Sequence, residues 1–470
     1  MKDAMKDTDY STLGAAEIAA QVTAGAITAR KVIDLALQRI EASEPSAKAF
    51  IHIDRDGARA AADALDRRIA AGESVGALAG VPVSVKDLTH VAGMPTSFGS
   101  KAYAGTAAPG DAIPVARLRA AGAVILGKTT TPEFGHKAIT ESPLFGRTLN
   151  PFNRAYTSGG SSGGAAVSVA AHQVPLALGT DGGGSVRIPA SICGLYGLKA
   201  TLGRIPHAQA PDLFANNSYI GPMTRSLVDL RVLYGVLAGE SPGDPWSKAL
   251  GLAEPLSSLR IGFALKVGNP AIEPEVAASV RSALKALAGL GAEVEPLDLD
   301  FARFEPGFRV HLESLLAART ASRVQEAPEL FDPTFVKTVE QGLERSAVEV
   351  QRAAAERTEL YRLIERQFER VDYLVTPTLA AASVPADTDT HADIVIAGAN
   401  CGRIRAGWYP YTFPLNLTGH PALSLPCGRT AEGLPIGLQI IGRWYDEEGI
   451  LDLAERLVPQ LGFTPRSPAL

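Results

Sequence analysis

Apolar positions recur at helical spacing over residues 15–24, again over 31–40 through Val32, Ile33, Leu35 and Ile40, and along an alanine-rich run at 58–71. The spacing predicts a helical opening. From there short aliphatic runs at 81–85, 124–126 and 176–178 alternate with helical patterns such as 115–121 and 165–171, which is how strands covered by helices on both faces read. A second block starts as a strand in LRIGFAL at Leu259. It continues as a helix over 274–290, with Pro274 suited to the first turn, passes a strand at 292–296 and becomes helix-rich to Arg370. The last section returns to strands at 374–376, 423–425 and 436–441, then closes with a helix at 447–458 stopped by Pro459. No polar linker or internal repeat divides the chain, so one α/β domain of discontinuous build is expected over residues 1–470, with the late strands rejoining the early sheet.

Composition narrows the function classes. The 470 residues carry 45 Lys plus Arg against 50 Asp plus Glu, no basic surplus for a phosphate backbone, so nucleic acid is not an expected partner. The longest stretch without charge, 155–180, is full of Gly and Ser and holds His172 and Pro175; no membrane association is expected. Cys193, Cys401 and Cys427 have neither disulfide nor thiolate-metal spacing and fit a reducing compartment. The amino terminus, MKDAMKDTDY, interleaves acids with lysines and lacks an apolar core behind them, which argues against a secretory leader and for a cytoplasmic protein.

Two motifs invite a function and fail on context. GAVILGKT at 122–129 fits the phosphate-loop pattern letter for letter. Its variable positions are Ala, Val, Ile and Leu, a buried strand rather than a loop with inward amides, and Pro132 disfavours the helix that should follow. GGSSG at 159–163 contains the GxSxG of a nucleophile elbow. An elbow needs an apolar strand just before it, whereas here the approach, NPFNRAYT, is polar and turn-forming. His172, His207, His311, His391 and His420 follow this serine, but none stands in a recognisable catalytic or metal-ligand setting.

The glycine runs GGSSGG at 159–164 and GTDGGGSVRIP at 179–189 are harder to explain as packing. Flexible linkers are the plain alternative, yet both runs are embedded in apolar secondary structure. Ordering successive glycines costs roughly 0.5–1 kcal/mol each relative to Ala. Converging backbone N–H groups of the kind that form an oxyanion hole would give a reason for that cost. A serine beside such a hole needs a base, and without a convincing histidine the next choice is a lysine kept neutral by burial. GVPVSVKD at 80–87 supplies Lys86 at the end of an apolar strand; the alternative there is an edge strand with Lys86 in water and Asp87 as a cap.

Together these segments resemble the amidase signature family of serine hydrolases. The strongest piece is LGTDGGGSVRIPASICGLYGLKATLGR at 178–204; others are GAVILGKTTTPEFG, SPLFGRTLNPFN, GGSSGGAAVSVAA, IGPMTRS, LVTPT and NLTGHPALSLPCG. The resemblance implies a mixed sheet covered by helices on both faces, with a signature core at about 75–240, a more variable helix-rich segment at about 242–370 and a C-terminal segment at 371–470. It implies Ser185 as nucleophile, Ser161 as bridging serine on a cis peptide bond, Lys86 as base, and an oxyanion hole at Gly182, Gly183, Gly184 and the Ser185 amide. Asp181 and Arg187 are expected to brace the loop as an ion pair, with Ser162 as further support, no cofactor and no metal.

The implied activity is hydrolysis of linear C–N bonds in small amides, extending to hydrazides, carbamates or esters, by an enzyme forming homodimers. Glutamine-using relatives, the glutaminase subunits of the tRNA-dependent amidotransferase, carry an acid where this chain has Tyr409. Its replacement, with Trp408, Tyr411 and the nearby Phe134, Gly135 and His136, suggests a neutral acyl or aryl substrate. The alternatives are a non-catalytic ligand-binding relative and a glutaminase-type subunit.

Overall fold

The computed structural model describes residues 7–210, 212–214, 217–248 and 259–468. The first six residues, part of the terminus that argued against a leader, lie outside the described residues. Among the described residues eleven strands form one sheet: β1 (Phe50–Ile53), β2 (Pro82–Lys86), β3 (Val124–Thr129), β4 (Leu176–Asp181), β5 (Tyr196–Lys199), β6 (Tyr219–Thr224), β7 (Arg260–Phe263), β8 (Glu293–Pro296), β9 (Tyr373–Pro377), β10 (Ala422–Arg429) and β11 (Pro435–Ile441). Their spatial order is β1-β3-β2-β4-β6-β5-β10-β11-β9-β7-β8. The late strands do rejoin the early ones, through β10 against β5, with Ala422 opposite Lys199. The helix-rich middle segment contributes the edge pair β7 and β8.

β3, β2 and β4 run parallel with one another, and every residue of the three is buried. Continuous Val, Ile, Leu and Ala in these strands is what burial on both faces requires. Their register brings the carboxyl ends together: Lys86 is opposite Thr129, and Val85 is opposite Leu178. That edge of a parallel sheet is where such folds place ligands. The helix Gly163–Ala170 lies close against this part of the sheet because it is built of small residues, and Ser168 Oγ meets Ser84 Oγ of β2 at 2.9 Å. A side chain on Gly164 would come within 2.5 Å of the Ala49 carbonyl oxygen.

The predicted helices at 15–24, 31–40, 58–71, 274–290 and 447–458 are found at Ala15–Thr23, Ala29–Ala47, Arg55–Ala70, Pro274–Gly289 and Glu447–Leu457. The hydrophobic pattern did not predict β1, β5 or β6. Opposite β4, the strand β6 reads YIGPMT: Pro222 lies opposite Leu178, and a side chain on Gly221 would approach the Leu198 carbonyl oxygen to 2.5 Å. Gly and Pro ordinarily argue against a central strand. Helices Glu305–Glu326 and Pro333–Leu343 pack on each other through a separate small cluster that includes Leu316, Phe331, Phe335 and Val339, over the carboxyl ends of the central strands.

Candidate active site

Lys86 ends β2 without any exposure. Its Nζ lies 2.7 Å from Ser161 Oγ and 2.9 Å from Thr180 Oγ1. Burial holds this ammonium well below the ordinary lysine value of 10.5, although Asp181 pulls the other way. A neutral amine can donate to Thr180 and turn its lone pair to the Ser161 hydroxyl. The alternative of a solvated edge lysine is thereby removed, and Asp87 is no exposed cap: it is buried, with Lys128 Nζ at 3.1 Å and the Ser97 hydroxyl donating to it. Thr180 was missed; its only signal was its place at the end of an aliphatic run.

Ser161 follows a cis Gly160–Ser161 peptide bond. Its neighbour Ser162 donates from Oγ to the Thr180 carbonyl at 3.0 Å, accepts from the Thr180 amide at 3.2 Å, and donates its own N–H to the Ser185 carbonyl at 3.2 Å. Both glycine runs are therefore tied to one strand end. Ser161 and Ser185 line the same cavity, but no hydrogen bond joins their hydroxyls among the described residues. Catalytic hydrogen bonds are often long before substrate arrives.

The loop from Gly182 to Val186 is held by Asp181. This carboxylate accepts from the Gly184 N–H at 2.6 Å, the Val186 N–H at 3.2 Å, and Arg187 Nε and Nη2 at 3.0 Å each. Burial would raise the Asp181 carboxyl, but Arg187 and Asn416 hold it well below the usual carboxylate range. Arg187 also donates to Gln439 and Asn416 at 2.8 Å, and Asn416 Nδ2 donates to the Asp181 carbonyl at 2.7 Å. The expected ion pair is present and wholly buried. One expectation is corrected: the Gly184 amide donates to Asp181 and is not free for an oxyanion, which leaves the amides of Gly182, Gly183 and Ser185 as the candidates. Gly184 instead permits the turn, at φ 123°, where a side chain would strike Thr412 Oγ1.

Above the serines the cavity is walled by Phe134, Gly135, His136 and Tyr409 as expected, and also by Phe98 and Phe308. Phe98, Phe134 and Phe335 stack in succession with centroids 5.2 Å apart. A side chain on Gly135 would lie 2.9 Å from Ser161 Oγ, so this glycine leaves room at the bridging hydroxyl. Trp408 and Tyr411 are a second correction. Both are fully buried in the core and away from the cavity, where Trp408 Nε1 donates to the Ala381 carbonyl at 2.9 Å and the Tyr411 hydroxyl donates to the Leu265 carbonyl at 2.8 Å.

His90, His136, His207 and His311 line the cavity, yet among the described residues no hydrogen bond joins one of them to Ser161 or Ser185. His90 Nδ1 faces Thr96, and His136 lies between the Glu133 carbonyl and Thr334. Burial lowers His90 and His311 and pushes His207 down to about 4, so these three are neutral near pH 7. The elbow reading thus lacks its base, and the phosphate-loop match is the buried strand β3 with its turn. Among the described residues no group of three potential metal ligands occurs, and no helix is long and apolar enough to cross a membrane.

An α/β fold that sets a buried lysine–serine pair and a glycine cradle on one cavity is the architecture of a hydrolase acting on carbonyl compounds without histidine. The amidase family model matches residues 31–451, and the chain belongs to this family, the amidase signature enzymes, amidohydrolases acting on C–N bonds. It is 34% identical over 483 residues to an acylamidase of Rhodococcus erythropolis, covering 99% of both chains. It is 35% identical over 482 residues to one of the subunits of the glutamyl-tRNA(Gln) amidotransferase of Chloroflexus aurantiacus, covering 96% of both. A solved bacterial aryl acylamidase superposes with a TM-score of 0.88 at 29% identity, covering 96% of this chain and 99% of that one.

Proposed function

We propose that Ser185 carries the acyl group during hydrolysis of small amides that bear no ammonium. The observation behind this reading is the fully buried Lys86 Nζ at 2.7 Å from Ser161 Oγ, on the cavity that Ser185 also lines. Neutral Lys86 accepts the Ser161 proton while Ser161 accepts that of Ser185, and Ser185 Oγ attacks the carbonyl carbon. The oxyanion lies against the amides of Gly182, Gly183 and Ser185. Ser161 returns a proton to the nitrogen, the C–N bond breaks and the amine leaves; water then attacks the ester and the same groups run in reverse. Asp181, Arg187 and Ser162 hold the loop and touch no reacting atom.

No Asp or Glu lines the cavity among the described residues. A buried ammonium without a partner costs several kcal/mol, about what the other contacts of a small substrate supply. Neutral acyl or aryl amides therefore fit, and the aromatic wall offers apolar burial at ~25 cal/mol per Å². The glutaminase reading, favoured by the amidotransferase likeness, requires glutamine to bind. Comparing kcat/KM for glutamine and for butyranilide, in the natural protein and in Tyr409→Asp, tests the choice: butyranilide is expected to be far better, and efficient glutamine hydrolysis would overturn it. Three buried free thiols accord with a cytoplasmic setting. A homodimer is expected from the family resemblance alone, and sedimentation would test it.

A further inference from the structure

The cavity above Ser185 is unbalanced in charge. Its lining includes three cations, Lys137, Arg319 and Arg405, and no carboxylate among the described residues. Lys137 is neutralised in place, 2.8 Å from both Asp332 Oδ2 and Glu141 Oε1. The arginines are not: neither has a carboxylate within 4 Å among the described residues. Glu305, which feels Arg405 electrostatically, stands beyond that distance and outside the cavity.

Arg405, half-buried in the short helix Ile404–Gly407, donates one N–H to the His136 carbonyl at 3.1 Å and lies 6.0 Å from the centre of the Phe308 ring. Arg319 belongs to the helix Glu305–Glu326 and, with Leu315, forms an exposed rim; its guanidinium lies over the rings of Phe98 and Phe134 at 5.6 and 5.4 Å. A guanidinium presents five N–H donors in a planar fork matched to carboxylate geometry. Donors that face the open cavity can be satisfied by solvent water. A substrate that fills the cavity displaces that water, and a wholly apolar one leaves the donors unmatched, whereas a carboxylate takes them in charge-assisted bonds.

We propose that the amides this enzyme handles best carry a carboxylate on the part that reaches the rim, bound by Arg405 and Arg319, with the Phe98 and Phe134 rings holding the Arg319 fork flat. Neutral amides are accepted and anionic ones preferred. The inference rests on the acyl-transfer reading only for where the reacting carbonyl lies.

The test compares kcat/KM for N-phenylsuccinamic acid, with its carboxylate on the acyl side, and 4-butyramidobenzoic acid, with it on the amine side, against uncharged butyranilide. One acid is expected to exceed butyranilide about tenfold or more, less so at high salt because the rim is open to screening. That ratio is expected to collapse in Arg405→Met and Arg319→Met and to survive in part in Arg405→Lys. Arg405→Glu is expected to favour the cationic anilide of β-alanine, a gain that misfolding cannot produce. Equilibrium binding of the same compounds to Ser185→Ala gives the ratio without turnover, so absent hydrolysis would count against the acyl-transfer reading while binding still decided this one. Acids binding no better than butyranilide, or a preference surviving both methionine variants, would overturn the proposal.

Discussion

At Lys86 the same burial that removes water from the amine lowers its pKa well below the ordinary lysine value, which on the proposed reading frees a lone pair for use as a base. A protonated lysine has no lone pair for Ser161, so kcat/KM is expected to rise with pH along a limb centred below the ordinary lysine value. The sign follows from the shift: below the lowered pKa the amine is charged and inactive, above it neutral and active. In Lys86→Ala this limb should vanish together with roughly 10²–10⁴ of the rate, read from pH profiles of both proteins; an unchanged profile would remove Lys86 from the chemistry. Lys86 was legible because it ends an apolar strand, and Ser161 and Ser185 because each sits in a glycine run embedded in apolar structure, while their roles came from the family resemblance. Thr180, Asn416 and Gln439 were not, since an isolated Thr, Asn or Gln within apolar sequence looks the same whether it braces a site or faces water. Trp408 and Tyr411 show the converse: aromatic residues next to a site in sequence packed into the core while their neighbour Tyr409 reached the cavity.

Among elements, the glycine loop after β4 owes its shape to Asp181, whose carboxylate takes two backbone amides, the Asn416 side-chain amide and one guanidinium with no exposure to water. Removing one side of a buried ion pair typically costs about 3–5 kcal/mol. Arg187→Met is therefore expected to lower stability by that order and to lower kcat along with it, measured by denaturant unfolding and by turnover under folding conditions. Native stability in that variant would show the pair to be dispensable. The ion pair could be proposed from opposite charges flanking Ser185 in the family motif, but the diversion of the Gly184 amide could not, because which N–H a carboxylate selects depends on the turn. Strands β5 and β6 escaped the hydrophobic pattern because Gly197, Gly221 and Pro222 read as breakers. In place, Gly197 and Gly221 are forced by close contacts: a side chain on Gly197 would meet Ala190 Cβ at 2.6 Å.

Across the molecule, strands from the first, middle and last thirds share one sheet, and the cavity lies between the carboxyl ends of its central strands and the helix Glu305–Glu326, which Pro333–Leu343 backs. The alternation of elements made the sheet legible, whereas how distant helices cover it depends on contacts that periodicity does not encode. The covering pair is fastened by polar contacts to the loop that carries Phe134: Lys137 Nζ to Asp332, the Asp332 amide to Glu133 Oε2 at 2.7 Å, and His136 Nε2 with Thr334 Oγ1 at 2.9 Å. Asp332→Asn is expected to raise KM more than it lowers kcat, because it loosens a wall and leaves the serines in place; equal losses in both would contradict that division. The central claim, an acyl group on Ser185 delivered by the Lys86–Ser161 relay, is tested most directly by acid-quenching the enzyme during turnover of an activated acyl ester and mapping the adduct by peptide mass spectrometry. The account predicts one acyl group on the peptide containing Ser185, absent in Ser185→Ala and slow to form in Lys86→Ala; an adduct on Ser161 or Ser162, or undiminished acylation in Ser185→Ala, would contradict it.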